Sequence, residues 1–277
     1  MDFLEISSFS DIGLVRPNNE DSFLVLPPWQ EPALSRQACL FGVADGMGGH
    51  ASGEVASKLA MTTMKTWFSE LPAKDLSLSQ VEDCFNEANR AIWKKASESK
   101  ENHGMGTTLT SALVTQNQAL LGHVGDTRAY LFRNNELRQI TRDHTLVAEQ
   151  IRLGSLTPAQ AKVHPARHIL SRAMGVREYV NVDTVLIELM PDDIILLCSD
   201  GIYGQIEESK IASEIGGVKE FKQIARALVS EANKSGGKDN ATAVLFKISE
   251  VPVSFPARFS IRRIKGMCSD WWDKFRS

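Results

Sequence analysis

Leu40-Phe-Gly-Val-Ala-Asp45-Gly46 decides how this chain reads. A short apolar run of strand character ends on an acid placed in a glycine turn. The figure returns in Leu121-Gly-His-Val-Gly-Asp126 and in Ile195-Leu-Leu-Cys-Ser-Asp200-Gly201. It returns reversed in Lys238-Asp239-Asn240, which leads into Ala241-Thr-Ala-Val-Leu-Phe246. A further acidic pair, Glu20-Asp21, precedes Ser22-Phe-Leu-Val-Leu26. Asp-Gly is a common turn dipeptide, so each placement alone reads as turn chemistry. Together they read differently, because strand ends of one packed core converge. Carboxylates gathered there repel one another unless protonated or bridged by cations. Hard oxygen ligands without supporting Cys or His point to magnesium or manganese.

Outward from these acids, short runs rich in Val, Ile, Leu and Phe predict strands at Phe23 to Leu26, Ala38 to Ala44 and Leu109 to Thr115. Others fall at Ala119 to Val124, Arg128 to Arg133, Val182 to Leu189, Ile194 to Cys198 and Thr242 to Ile248. Asn134-Asn135 reads as a hairpin turn. Helical spacing predicts one helix with Val55, Leu59, Thr63 and Trp67 on its stripe and Ala56, Ala60, Met64 and Phe68 beside it. A second carries Val81, Cys84, Phe85, Ala88, Ile92 and Ala96; a third runs from Val218 to Ala232 and ends at Gly236-Gly237. Thr157-Pro158 reads as an N-cap and first helical position, and Asp143 before His144 as another N-cap. Residues 144–175 are then short helices and loop inserted between strands. Clustered strands with segregated helices give an α+β layered domain rather than a βαβ winding.

Composition bounds the alternatives. The chain has 277 residues, 43% hydrophobic and 23% charged, which is ordinary for a globular domain and excludes disorder, collagen and coiled coil. No apolar run approaches the roughly 20 residues of a membrane span. Met1-Asp2-Phe3-Leu4-Glu5 lacks the basic start of a secretory signal, so a cytoplasmic protein is expected. Cys39, Cys84, Cys198 and Cys268 match no zinc spacing and read as free thiols of a reducing compartment. The formal charge is −3, with a basic C-terminal end on an acidic body, which argues against nucleic-acid binding and a nuclease. Gly46-Met-Gly48-Gly-His-Ala51 has the outline of a dinucleotide fingerprint. Asp45 and Glu54 flank it with negative charge where a pyrophosphate would sit, so that reading is rejected.

The segments resemble those of the PPM, or protein phosphatase 2C, family of metal-dependent Ser/Thr protein phosphatases in its bacterial form. Those that carry the resemblance are Ser10-Asp-Ile-Gly-Leu-Val-Arg16-Pro-Asn-Asn-Glu20-Asp21, Val43-Ala-Asp45-Gly46-Met-Gly-Gly-His50 and Gly104-Met-Gly-Thr-Thr108. They continue in the family's order with His123-Val-Gly-Asp126-Thr-Arg128, Cys198-Ser-Asp200-Gly201 and Lys238-Asp239-Asn240-Ala-Thr242, from about residue 5 to 248. The resemblance implies a four-layer αββα sandwich of two antiparallel-rich sheets flanked by helices, occupying residues 1–249, with 144–175 as a flap that helps select substrates. It implies that Asp45 bridges two cations, manganese or magnesium. Glu20 and the Gly46 carbonyl complete one site, Asp200 and Asp239 the other, and Asp126 with Asp200 holds a weaker third ion. Arg16 falls where the family binds phosphate. Asp21 stands behind the ligands and Asn240 orients the neighbouring loop. The implied reaction is direct attack on the phosphomonoester by a hydroxide between the cations, with no covalent intermediate. The alternative is a phosphoprotein-binding regulatory module with little catalysis, against which the complete acid set argues.

Met47 stands where animal members carry a His, so the leaving-group acid has no obvious owner; His50 and a water on the third ion are the candidates. His164 and His168 read as flap residues near the substrate mouth rather than a zinc pair. Substrates implied by the family are proteins phosphorylated on Ser or Thr, with a Hanks-type kinase and its targets as partners and a monomer as the working form. Val251-Pro-Val-Ser-Phe-Pro256 reads as a linker. Beyond it Ile261, Ile264, Cys268, Trp271 and Phe275 recur at helical spacing among Arg262, Arg263 and Lys265. Residues 258–277 are thus a short helix folded on the body or a basic amphipathic element that touches a membrane surface or a partner.

Overall fold

The computed structural model describes residues 4–26, 38–48, 52–71, 76–98, 100–115, 117–217 and 220–249. The chain begins with β1 (Leu4–Asp11), β2 (Asp21–Leu26) and β3 (Cys39–Met47), then α1 (Ser52–Glu70) and α2 (Leu78–Glu98). Next come β4 (Gly106–Thr107), β5 (Leu109–Val114), β6 (Gln118–Val124), β7 (Arg128–Arg133) and β8 (Glu136–Gln139). α3 (Leu146–Arg152) and α4 (Pro158–Lys162) lie in the insert. β9 (Asp183–Glu188), β10 (Ile194–Cys198), α5 (Asp200–Tyr203), α6 (Glu208–Gly217), α7 (Ile224–Lys234) and β11 (Ala241–Ile248) complete the described chain.

The strands form two antiparallel sheets. One has the order β1-β11-β10-β7-β8; the other has β2-β3-β5-β6-β9, with β4 on the end of β3. Successive side chains of a strand point to opposite faces, and along β3 they divide accordingly. Leu40 and Ala44 pack with Ala60, Met64, Phe85 and Ile92 of α1 and α2. Cys39, Phe41 and Val43 pack with Leu197, Val244 and Phe246 of the other sheet. On the far side, Leu196 and Leu245 meet Leu228 and Val229 of α7. Both sheets are therefore buried on two faces, which is why their strands read as unbroken apolar runs. The middle layer is closed by Phe41 stacked on Phe246 at 4.4 Å; truncating either would cost ~3–5 kcal/mol. The αββα expectation holds.

Several local readings hold and several do not. Asn134 and Asn135 adopt φ of 54° and 62°, the left-handed pair of a tight hairpin turn. Thr157 caps α4 in a full capping box with Gln160. Asp143, by contrast, caps nothing: Thr145 is the N-cap of α3, and Asp143 is taken up by Arg128. The guanidinium fork satisfies both carboxylate oxygens, which a backbone N–H cannot do. The third helix proper starts at Ile224, after a single 3-10 turn at Phe221–Gln223. On α1 the deeply buried stripe is Ala56, Ala60, Met64 and Phe68, while Val55 is exposed. Sequence reading assigns no element to β1 or α6; β8 enters it only as the second arm of the Asn134-Asn135 hairpin. The serines of β1 hide its alternation, and pairing with β11 over its whole length decides its state. Cys39, Cys84 and Cys198 are buried free thiols, as expected; Cys268, the 251–256 linker and the C-terminal element lie outside the described residues. No helix among the described residues is long and apolar enough to cross a membrane.

The insert closes at its base. Leu146 N–H donates to the Ile169 carbonyl (2.9 Å), Ser171 N–H to the His144 carbonyl (2.8 Å) and Met174 N–H to the Thr107 carbonyl (2.8 Å). Its two ends are thus fixed beside the strand end that carries Asp45.

Candidate active site

Asp45 lies within β3, not in a turn after it; the strand runs on through Gly46 and Met47 because Thr107 and Gly106 pair with them. Its N–H donates to Thr108 Oγ1 (2.9 Å), and its carbonyl accepts from Thr108 N–H and Thr107 Oγ1 (both 2.8 Å). Asp21 is its cross-strand neighbour on β2. The next residue must be glycine: a Cβ on Gly46 would overlap the Gly53 carbonyl and stand 2.7 Å from that of Glu20, whose oxygen accepts the Gly46 N–H.

Glu20 is positioned from the far end of the chain. Its N–H donates to Asn240 Oδ1 (2.8 Å), while Asn240 Nδ2 donates to the carbonyls of Ile12 and Asn18 (both 2.9 Å). One amide thereby holds the β1–β2 loop, which carries Arg16. Asp239 accepts from Arg16 Nη2 (2.7 Å) and from the Asn240 N–H (2.9 Å). Asp200 is the first residue of α5 and Asp126 follows β6. Tyr203 Oη donates to the Asp126 carbonyl (2.9 Å), and the Tyr203 ring lies 3.6 Å under the Arg128 guanidinium. Arg128 and Asp143 therefore brace the Asp126 turn, a job that nothing in their local sequence announces.

Arg16, Glu20, Asp45, Gly46, Asp126, Asp200, Asp239 and Asn240 border one cleft of about 460 Å³, with Met47, Gly48, Thr108, His168 and Leu170. Asp21 sits behind it, buried, accepting from Ser199 Oγ (2.7 Å). His168 of the flap reaches the rim, its Nδ1 3.8 Å from Asp200. His164 is occupied in a turn, with Nδ1 accepting from Ala166 N–H (3.1 Å), so the two form no metal pair. His50 lies outside the described residues.

The acids strain one another electrostatically. Burial, then repulsion from neighbouring acids, raises Asp45 and Asp126 well above the usual carboxylate range. The same causes put Asp200 at about 6 and Asp21 at about 7. Burial also raises Glu20, against the pull of Arg16. Two oxygens, Asp21 Oδ1 and Asp200 Oδ1, are buried with no hydrogen-bond partner. Arg16 alone does not balance these acids, and divalent cations would supply the missing positive charge and use the free lone pairs. Among the described residues no group of three or more His, Cys, Asp or Glu side chains is by itself arranged as a metal site; the fit rests on the hard oxygen donors that share the cleft, which suit magnesium or manganese. The residues present fit such ions.

Face-to-face antiparallel sheets, helices on both outer faces and an acid-lined cleft at one edge are the features that the resemblance to metal-dependent phosphatases implies. The family model of Protein phosphatase 2C matches residues 7–241. A serine/threonine phosphatase, stp, of Listeria monocytogenes is 35% identical over 240 residues, covering 85% of this chain and 92% of that protein. The crystal structure of the Mycobacterium tuberculosis serine/threonine phosphatase PstP/Ppp superposes with a TM-score of 0.80 at 36% identity, over 89% of this chain and 99% of that one. A structure of the PstP catalytic domain in complex with two manganese ions gives 0.78 at 34% identity, with the same coverage. The chain belongs to the protein phosphatase 2C family of metal-dependent serine/threonine protein phosphatases.

Proposed function

We propose that this protein hydrolyses phosphoserine and phosphothreonine in phosphorylated proteins, and that Glu20, Asp45, Asp126, Asp200, Asp239 and the Gly46 carbonyl hold its manganese or magnesium ions. The observation that carries this is the convergence of these groups on one cleft although they come from distant segments. Bound there, such ions neutralise phosphate charge and make water a nucleophile near neutral pH. The chain's part is positioning. Asp45, whose backbone Thr107 and Thr108 lock, would be the ligand shared by two ions. Asp126, with Asp200, would hold a third and weaker one. Arg16 offers a planar fork to the non-bridging phosphate oxygens; its side chain is half exposed beside Asp239, so phosphate can reach it. Asn240 keeps that arginine's loop and Glu20 in register. Asp21 supports the site from behind.

Hydrolysis would be direct, without a covalent intermediate, the water being activated by the ions. Met47 borders the cleft, and a thioether has no proton to give the leaving group. The phosphatase domain spans residues 1–249. Proteins phosphorylated by a Hanks-type kinase are the fitting substrates, the protein acts as a cytoplasmic monomer in signal transduction, and the basic segment 258–277 provides contact with a membrane surface or a partner. The complete acid set disfavours the phosphoprotein-binding module as the second reading.

Purified protein should hydrolyse an aryl phosphate only when manganese or magnesium is added. Asp45→Ala and Asp239→Ala should abolish turnover while the far-ultraviolet circular dichroism stays native. Full activity in chelator, or in either variant, would refute the assignment.

A further inference from the structure

We propose that His144, held by Asp183, is the positioning residue of the Asp126 turn and sets how tightly that turn holds the third, weaker ion. The inference rests on the phosphatase reading above and concerns one ligand of that same cleft.

Asp126 lines the cleft, and its place there depends on the residue before it. Gly125 sits at φ 110°, and a Cβ on it would stand 2.5 Å from Thr108 Cβ. The turn is therefore closed on that side by the residue whose Oγ1 accepts the Asp45 N–H. His144 takes both polar groups of the Gly125 backbone. The His144 N–H donates to the Gly125 carbonyl (2.7 Å), and the Gly125 N–H donates to His144 Nδ1 (3.0 Å). Tyr203 holds the Asp126 carbonyl, so the peptide groups on both sides of the acid are tied. Asp143 and His144, adjacent in the chain, thus grip this turn twice, once through Arg128 and once directly.

The ring contact fixes a tautomer. An Nδ1 that accepts an N–H carries no proton, so the neutral imidazole has its proton on Nε2. Nε2 lies 3.2 Å from Asp183 Oδ2 and donates there. The other carboxylate oxygen, Oδ1, accepts from Arg172 Nη1 (2.6 Å), which also donates to the Asn181 carbonyl (3.1 Å). His144 is buried, and the His123 ring stands against it at 4.6 Å between centroids. The imidazole is thus held at both nitrogens and on one face, with no freedom to turn from Gly125. Groups behind a metal ligand orient it and set about 10- to 100-fold in metal affinity. The other acids have supports of their own: Thr107 and Thr108 hold Asp45, Asn240 holds Glu20, and Arg16 pairs with Asp239. Loosening His144 therefore acts on Asp126 first.

The experiment titrates the metal-free full chain with manganese, counts the free ion by its electron paramagnetic resonance signal, and measures aryl phosphate hydrolysis in parallel. The parent should show a tight class of bound ions and a weaker one. His144→Gln reaches toward Asp183 but leaves the Gly125 N–H unpaired; it should weaken the weak class about tenfold or more and leave the tight class within error. His144→Asn places Oδ1 where Nδ1 stood and should restore most of that affinity. A residue needed only for folding would move both classes together and would not tell the two amides apart, and that result overturns the inference. If the Gln variant does not fold, Asp183→Ala, at a half-exposed side chain, takes its place and should weaken the weak class while sparing the tight one. A parent without a weaker class, or a weak class unchanged in the variant, overturns the inference and leaves the phosphatase reading intact. A parent that binds manganese and does not hydrolyse the aryl phosphate overturns that reading, and this inference with it.

Discussion

Asp200→Asn should raise the melting temperature of the metal-free protein and lower it, relative to the parent, in manganese. Asp200 sits in the fold with a pKa of about 6 against 3.8 for the free side chain. A raised folded-state value means that stability associated with the protonated acid is lost as pH rises from about 4 through 6, so at pH 8 the ionised form opposes folding. At ~1.4 kcal/mol per unit the shift corresponds to ~3 kcal/mol. The side chain keeps 19% of its surface exposed, and solvent screening leaves about 2 kcal/mol. The amide removes that repulsion at nearly constant shape, which for a domain of this size is a rise of about 4–8 °C in chelator at pH 8. Manganese should reverse the order. Saturating metal stabilises the parent by ~3 kcal/mol at a hundredfold excess over its dissociation constant, and the variant has lost a ligand. Differential scanning fluorimetry of both proteins in EDTA and in manganese reads all four values. If the variant melts below the parent in chelator, the acid is structural and the argument from repulsion is wrong. Equal manganese shifts in both proteins would remove Asp200 from the metal site.

Other outcomes follow from single contacts. Gly46→Ala should destabilise by ~3 kcal/mol or more, or prevent folding, because the new methyl meets the backbone of Gly53 and Glu20; a urea midpoint within error of the parent would contradict the packing. Arg16→Ala should lower kcat/KM for phosphopeptides about 10- to 100-fold, the value of a charge-assisted fork. Arg16→Lys should restore it only in part, and full restoration would mean that charge alone matters. Burial, reinforced by His144, holds the His123 imidazole at about 3 against an ordinary 6.5, and it bonds Thr110 Oγ1 and the Arg142 carbonyl. A depressed histidine takes up its proton more readily unfolded, so stability should fall as pH drops below about 6.5, by about 2–3 kcal/mol at pH 4.5. Urea titrations at pH 7 and 4.5 should show this loss, and His123→Asn should show less of it.

The sheets were legible because their strands are buried on both faces, so apolar runs such as Ile194 to Cys198 stand out without context. The acids were legible because each interrupts such a run. Their roles as neighbours were not. Asp45 reads as a turn residue and proves to lie inside a strand, since β4, over fifty residues on, extends the pairing. Asp143 reads as a cap and proves to be half of an ion pair with Arg128, which braces Asp126 through Tyr203. Asn240 is expected, from the family resemblance, to orient a neighbouring loop; that the loop is the segment around Arg16 and Glu20, more than 200 positions away, is visible only in the fold. Periodicity and turn chemistry act within a few residues, so the sequence alone determined the apolar strands, the long helices and where charge interrupts them, but not β1, which takes its state from pairing with β11. Which charges share a cleft, and how far burial and mutual repulsion move their protons, depend on contacts between distant segments, and only the packed chain decides those.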